Sequence, residues 1–160
     1  LWPEIRARVA PGTAARTTGA GLSAQAGPAQ VWKQWRTEAR APSVVSAAGA
    51  EAFEPTGFPG VRVRRLAVDQ DAERVTMLVR MDPGTAYPAH RHGGVEECYV
   101  VEGDLWIGAG IEANGIGVPA LEMHAGDYQR MEEGSLHPVQ STRAGCLLLI
   151  TSSLQDELCA

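Results

Sequence analysis

Cysteine is scarce in this chain: three residues in 160, an odd number with no close spacing. That excludes a disulfide framework and leaves no cysteine pair for a zinc knuckle. Long apolar runs are missing as well. Stretches such as Cys146-Leu147-Leu148-Leu149-Ile150 fall far short of the roughly 20 residues a membrane helix needs, and no charged-then-apolar leader opens the chain. The expectation is a cytoplasmic protein without a membrane partner. Basic residues are outnumbered, 14 Lys and Arg against 19 Asp and Glu, for a net charge of −5 and a pI near 5.3. No window offers the basic cluster that phosphate neutralisation needs, which argues against direct nucleic-acid binding. The densest basic run, Arg62, Arg64 and Arg65, is interleaved with Val61, Val63 and Leu66 and reads as the solvated face of a strand.

Histidine is rare too, four residues in all, yet two of them stand one residue apart with a carboxylate four residues on. The stretch is Gly84-Thr85-Ala86-Tyr87-Pro88-Ala89-His90-Arg91-His92-Gly93-Gly94-Val95-Glu96, closing at Gly103. Imidazoles at i and i+2 leave a strand on the same face, and a glutamate reached after a Gly-Gly turn can close on the same ion. His137 is available as a fourth ligand. The five positions Gly84, His90, His92, Glu96 and Gly103 would fall in this register by chance on the order of once in ten thousand such chains, so a metal site is the stronger reading. His124, alone in the sequence, reads as an ordinary hydrogen-bonded or surface histidine. Cys98 has the strand parity of Glu96 and is expected inside the fold, where a free thiol behaves as a small hydrophobe; a redox role would require an exposed thiolate.

Length and a hydrophobic content of 44% allow one small domain plus an appendage. The division falls near residue 42. Residues 1–41 are expected to be an N-terminal helical segment and linker: Leu1 to Val9 is a short amphipathic stretch, residues 10–30 are rich in Ala, Gly and Thr, and Gln30 to Arg40 predicts a helix that packs Trp32 and Trp35 on the domain behind it. The chain opens on Leu1 rather than methionine, and an internal boundary of a longer protein is expected there. Residues 42–160 carry strand signals at Val61 to Val68, Arg74 to Met81, Val95 to Glu102, Leu105 to Ile107, Ala120 to His124, Tyr128 to Met131, Pro138 to Gln140 and Gly145 to Thr151. Short strands with regular turns predict an all-β sandwich or barrel, with Gly108 to Gly117 as a flexible loop at its rim.

These residues resemble the cupin superfamily. Its first motif is matched at every fixed position from Gly84 to Gly103. Its second begins at Gly126-Asp127 and runs through Gly134 to His137, with Glu132 where the family usually has proline and Ser141 where it has asparagine. The resemblance implies a jelly-roll barrel, a double-stranded β-helix, and maps the family's metal ligands onto His90, His92, Glu96 and His137. A closer likeness covers roughly residues 31–153: Phe58-Pro59-Gly60-Val61-Arg62-Val63-Arg64-Arg65-Leu66, Met81-Asp82-Pro83-Gly84, the run from His90 to Gly103, and Ala125-Gly126-Asp127-Tyr128 through His137 are similar to the ChrR-type cupin. That domain forms the C-terminal half of certain bacterial anti-sigma factors, which hold an extracytoplasmic-function sigma factor inactive until an oxidative signal arrives. The family's anti-sigma half carries a His-x-x-x-Cys-x-x-Cys signature that this chain lacks, so a sigma factor would be bound only through a missing N-terminal domain.

Two function classes follow. A regulatory cupin would hold Zn²⁺ in a closed shell and pass a change of state to a partner, as a homodimer. A cupin enzyme, such as a metal-dependent dioxygenase, would bind Fe²⁺, Mn²⁺ or Ni²⁺ through the same residues with open positions for substrate and O₂. Beside the ligands the inward candidates are Cys98, Val100 and Tyr87, with no second carboxylate of matching parity, and this favours regulation over catalysis. A barrel serving only as a dimerisation module is the third reading. Acid in the free-histidine range near pH 6.5 is expected to release the metal.

Overall fold

Alternation of apolar and polar residues from Arg74 to Met81 becomes a strand in which every second side chain, Val75, Met77, Val79 and Met81, is buried. The same logic repeats through the chain. The computed structural model describes residues 27–35, 46–47, 52–111 and 115–159. In chain order its strands are β1 (Glu54–Pro55), β2 (Val61–Asp69), β3 (Arg74–Met81), β4 (Ala86–Tyr87), β5 (His90–Arg91), β6 (Glu96–Ile107), β7 (Gly110–Ile111), β8 (Gly117–Val118), β9 (Leu121–His124), β10 (Tyr128–Met131), β11 (Leu136–His137), β12 (Gln140–Ser141), β13 (Cys146–Ser153) and β14 (Glu157–Leu158).

The main sheet runs β1-β2-β3-β13-β6-β12-β4, with β9 and β10 also paired to β6, and it curls into a barrel around the core. Val61, Val63, Met77, Val100, Leu105, Leu148 and Ile150 fill the interior. A separate three-stranded sheet, β11-β5-β14, carries His90 and His137. The expected strands Val95 to Glu102 and Leu105 to Ile107 are one strand, β6. Its first part pairs with β10 and β13, and its last part with β9 and β12. Gly103 makes the bend between them: its φ is +81°, and a Cβ there would lie 1.9 Å from the Gly145 carbonyl oxygen. Inward parity shifts just before the bend, at a bulge where Leu147 pairs with Glu102 and Leu148 with Val100, so that Glu96, Cys98 and Val100 give way to Leu105 and Ile107.

Three expectations change. The anticipated strand Pro138 to Gln140 is replaced by β11 and β12, because His137 pairs with His90 while Gln140 crosses to Tyr87 and Ile107. The loop Gly108 to Gly117 contains one side of a small β7-β8 pair. Arg64 is not solvated. It leaves the outer face of β2 as expected, but Ser46 and Ala47 cover it and take its guanidinium at 3.0 and 2.5 Å, while Arg62 stays exposed beside Asp82.

In the N-terminal segment, residues 1–26 and 36–45 lie outside the described residues, and with them the expected Leu1 to Val9 stretch and most of the expected Gln30 to Arg40 helix. The described part holds only a 3-10 turn at Val31–Lys33. Its backbone is committed elsewhere: Ala29 bridges to Glu157, Gln30 N donates to the Asp156 carbonyl, and Leu158 N donates to the Pro28 carbonyl. Trp32 and Trp35 do pack on the core, edge to face with ring centroids 5.7 Å apart. Residues 27–35 thus form a strap across the barrel end.

Candidate metal centre

His90 and His92 reach the barrel interior from β5 and the residue after it, since residues two apart on extended chain share a face. Gly93 then turns the chain. It must be glycine, because a Cβ would meet the Gln155 carbonyl oxygen at 2.5 Å. Glu96 opens β6 and points inward. His137 ends β11, directly across the strand pair from His90. All four side chains are buried, and each offers one ligand atom such that these atoms lie within 4.8 Å of one another. The imidazole centroids form a near-equilateral triangle, with sides of 5.0, 5.1 and 5.3 Å. His124 stands apart, exposed beside Glu122.

The electrostatics suit a cation. Burial pushes His90 down to about 3 despite the opposing field of Glu96, and burial also lowers His92, so both rings are neutral with a lone pair to give. Burial alone would raise Glu96, but its hydrogen bond with His137, 3.3 Å away, and the neighbouring His92 and His90 hold it well below the usual carboxylate range. Nδ1 of His90 lies 3.1 Å from the Pro88 carbonyl oxygen, which fixes that nitrogen as the donor and leaves Nε2 free. His92 is the telling residue. It is 1% exposed, yet neither ring nitrogen has a hydrogen-bond partner. An orphaned polar group of this kind costs about 1–3 kcal/mol, a cost that an ion accepting a lone pair removes. Three imidazoles and one carboxylate fit Zn²⁺, Fe²⁺, Mn²⁺ or Ni²⁺.

Several residues around the four were not singled out by the sequence. Gln140 places its amide nitrogen 3.0 Å from Nε2 of His137. Asp156, fully buried, lies 3.9 Å from Nδ1 of His92 and accepts the Gly93 N–H at 2.9 Å. Lys33, also buried, is ion-paired with Asp156. Tyr87, an inward candidate from the sequence, donates to Oε1 of Gln30 at 2.7 Å, accepts from Nε1 of Trp32 at 3.1 Å, and sets its ring edge-on to His90. Cys98 is inside the barrel, 1% exposed, and burial pushes its thiol well above the usual range. A cavity of about 30 Å³ remains between the strap and the ligands, touching His90, Glu96, Tyr87, Gln30, Trp32 and Gln140.

The family model of the ChrR cupin-like domain matches residues 42–154. The chain belongs to that family. Solved cupins share the fold: an RmlC-like cupin from Shewanella frigidimarina has 22% identity and a TM-score of 0.55, over 68% of this chain and 87% of that one. An acetylacetone dioxygenase from Acinetobacter johnsonii has 17% identity and a TM-score of 0.56, over 74% and 77%. KdgF from a Halomonas species has 15% identity and a TM-score of 0.52, over 67% and 90%. At these identities the likeness establishes the cupin fold alone. No curated protein matches the chain in sequence. Among the described residues, no helix is long and apolar enough to cross a membrane.

Proposed function

We propose that this cupin is the metal-binding sensor domain of an anti-sigma-factor-like regulator of the oxidative-stress response, with Zn²⁺ held by His90, His92, Glu96 and His137. The observation that carries the reading is how little room remains beside the ligands. Gln30, Trp32 and Lys33 of the strap line a cavity of about 30 Å³ together with His90 and Glu96, room for about two water molecules. The buried carboxylate beyond the ligands, Asp156, is engaged by Lys33 and the Gly93 N–H and is not placed as a free general base. Membership of the ChrR cupin-like family supports the same reading.

A metal-dependent dioxygenase is the second reading, favoured by the cavity's direct contact with His90 and Glu96, where an open coordination position would face it. The complete reading frame and its product decide between them. A helical region with His-x-x-x-Cys-x-x-Cys ahead of Leu1, and a full-length protein that holds an extracytoplasmic-function sigma factor, is the expected result. A frame that begins just before Leu1, with oxygen consumption by the iron-loaded protein, would favour the enzyme.

A further inference from the structure

Lys33 is the chain's only lysine, and the fold buries it. Thirteen arginines could have served at the surface, so a lone ammonium in the interior calls for a reason. It sits on the strap, one residue from Trp32. Besides its ion pair with Asp156, it donates to Oγ of Ser152 at 2.9 Å and to the Ser153 carbonyl at 3.3 Å. Its three hydrogens are therefore all used. Asp156 in turn faces three ways: Oδ2 to Lys33, and Oδ1 to the Gly93 N–H and toward Nδ1 of His92. The carboxylates nearest that imidazole are Glu96 and Asp156, each 3.9 Å from Nδ1. With Glu96 given to an ion, Asp156 is the acceptor left for His92.

We propose that Asp156 is a positioning residue for His92 and that Lys33 fastens the strap to it, so that metal occupancy and the seating of residues 27–35 are thermodynamically coupled. The proposal rests on the metal-site part of the functional reading and not on the sigma-factor part. A histidine bound to a metal through one nitrogen needs an acceptor for the N–H of the other, and a carboxylate is the strongest one available. The ion therefore favours the Asp156 orientation that Lys33 also favours, and each stabilises the other by the same factor. The strap carries the chain toward its N-terminal part, so a change at the ligands has a defined route out of the barrel. A second contact runs in parallel: Tyr87, against His90, hydrogen-bonds both Gln30 and Trp32 of the strap.

A single lysine makes the test site-specific. The whole chain is treated with an amine-reactive ester, and labelling of Lys33 is followed by peptide mass spectrometry with and without saturating Zn²⁺, bound metal being counted in the same samples. The expected result is labelling at least tenfold slower with zinc in the wild type and zinc-independent in His92→Ala. Reciprocally, Asp156→Asn, which replaces the carboxylate beside His92, should weaken zinc binding by about 10- to 100-fold and remove the zinc dependence of Lys33 labelling. Zinc bound at one ion per chain with an unchanged Lys33 labelling rate would overturn the coupling while leaving the metal site standing. Failure to take up any ion would overturn both. Neither outcome depends on whether a sigma factor binds.

Discussion

His137 lies directly opposite His90 across the β5-β11 strand pair, which joins two sequence motifs 47 residues apart into one centre. The register matters, because a slip of one residue would turn an imidazole out of the barrel. Two glycines of the surrounding barrel give the first prediction. Gly84 and Gly103 both have positive φ, +75° and +81°, but a Cβ at Gly84 meets nothing within 4 Å while one at Gly103 meets the Gly145 carbonyl oxygen at 1.9 Å. Gly84→Ala should cost only the left-handed conformation, about 1–2 kcal/mol. Gly103→Ala adds a backbone collision, and a further loss of about 1–3 kcal/mol is expected. Denaturant unfolding of the two variants checks this; equal stabilities would contradict the described bend.

The barrel was legible in the sequence because alternation is a local rule; of the candidate ligands, His90, His92 and Glu96 were marked by their spacing, while the assignment of His137 beside them came from the resemblance to the cupins. Alternation placed Arg74 to Met81 and Tyr128 to Met131 to the residue, and strand parity put Cys98 inside with Glu96. Asp156 and Lys33 were not legible. Each lies outside the motifs, and only the folded chain, with β14 beside β5 and the strap beside β14, brings them behind His92. The expected helix at Gln30 to Arg40 yields, where described, to the same tertiary demand, since Gln30 donates to the Asp156 carbonyl and the two residues before it, Pro28 and Ala29, pair with Leu158 and Glu157. Arg64 was misjudged because alternation reports which face a residue leaves, not what covers that face.

Stability without metal should depend on pH in a defined direction. In the folded chain His90 titrates at about 3, against 6.5 when unfolded, and His92 is also lowered by burial. Between those values the unfolded chain binds the extra proton. Stability present above pH 6.5 is therefore lost as pH falls toward 3, by about 1.4 kcal/mol per unit for His90 alone. Glu96, held below its usual range, adds loss of the same sign at the acid end. Unfolding curves of chelator-treated protein at successive pH values test this, and a flat profile from pH 7 to 4 would contradict it. Metal release should likewise begin below the free-histidine range that the sequence suggested.

The thiols should react in order of burial. Cys98 and Cys146 are both buried, the first pushed well above the usual thiol range and the second to about 11 by burial, whereas Cys159 is partly exposed. A thiol reagent at pH 8 should label Cys159 in the native protein and reach the other two only on unfolding. Rapid native labelling of Cys98 would give it the exposed thiolate that a redox role requires.

The account stands on one metal centre built from His90, His92, Glu96 and His137. Its most direct test is elemental analysis of protein purified without added metal, paired with thermal melts before and after chelation, for the wild type and His92→Ala. The account predicts zinc at one ion per wild-type chain, little in the variant, and a chelator-induced fall in melting temperature confined to the wild type, reflecting about 4 kcal/mol at a thousandfold excess of metal over its dissociation constant. Metal-free wild type, or an equal fall in both proteins, would contradict it.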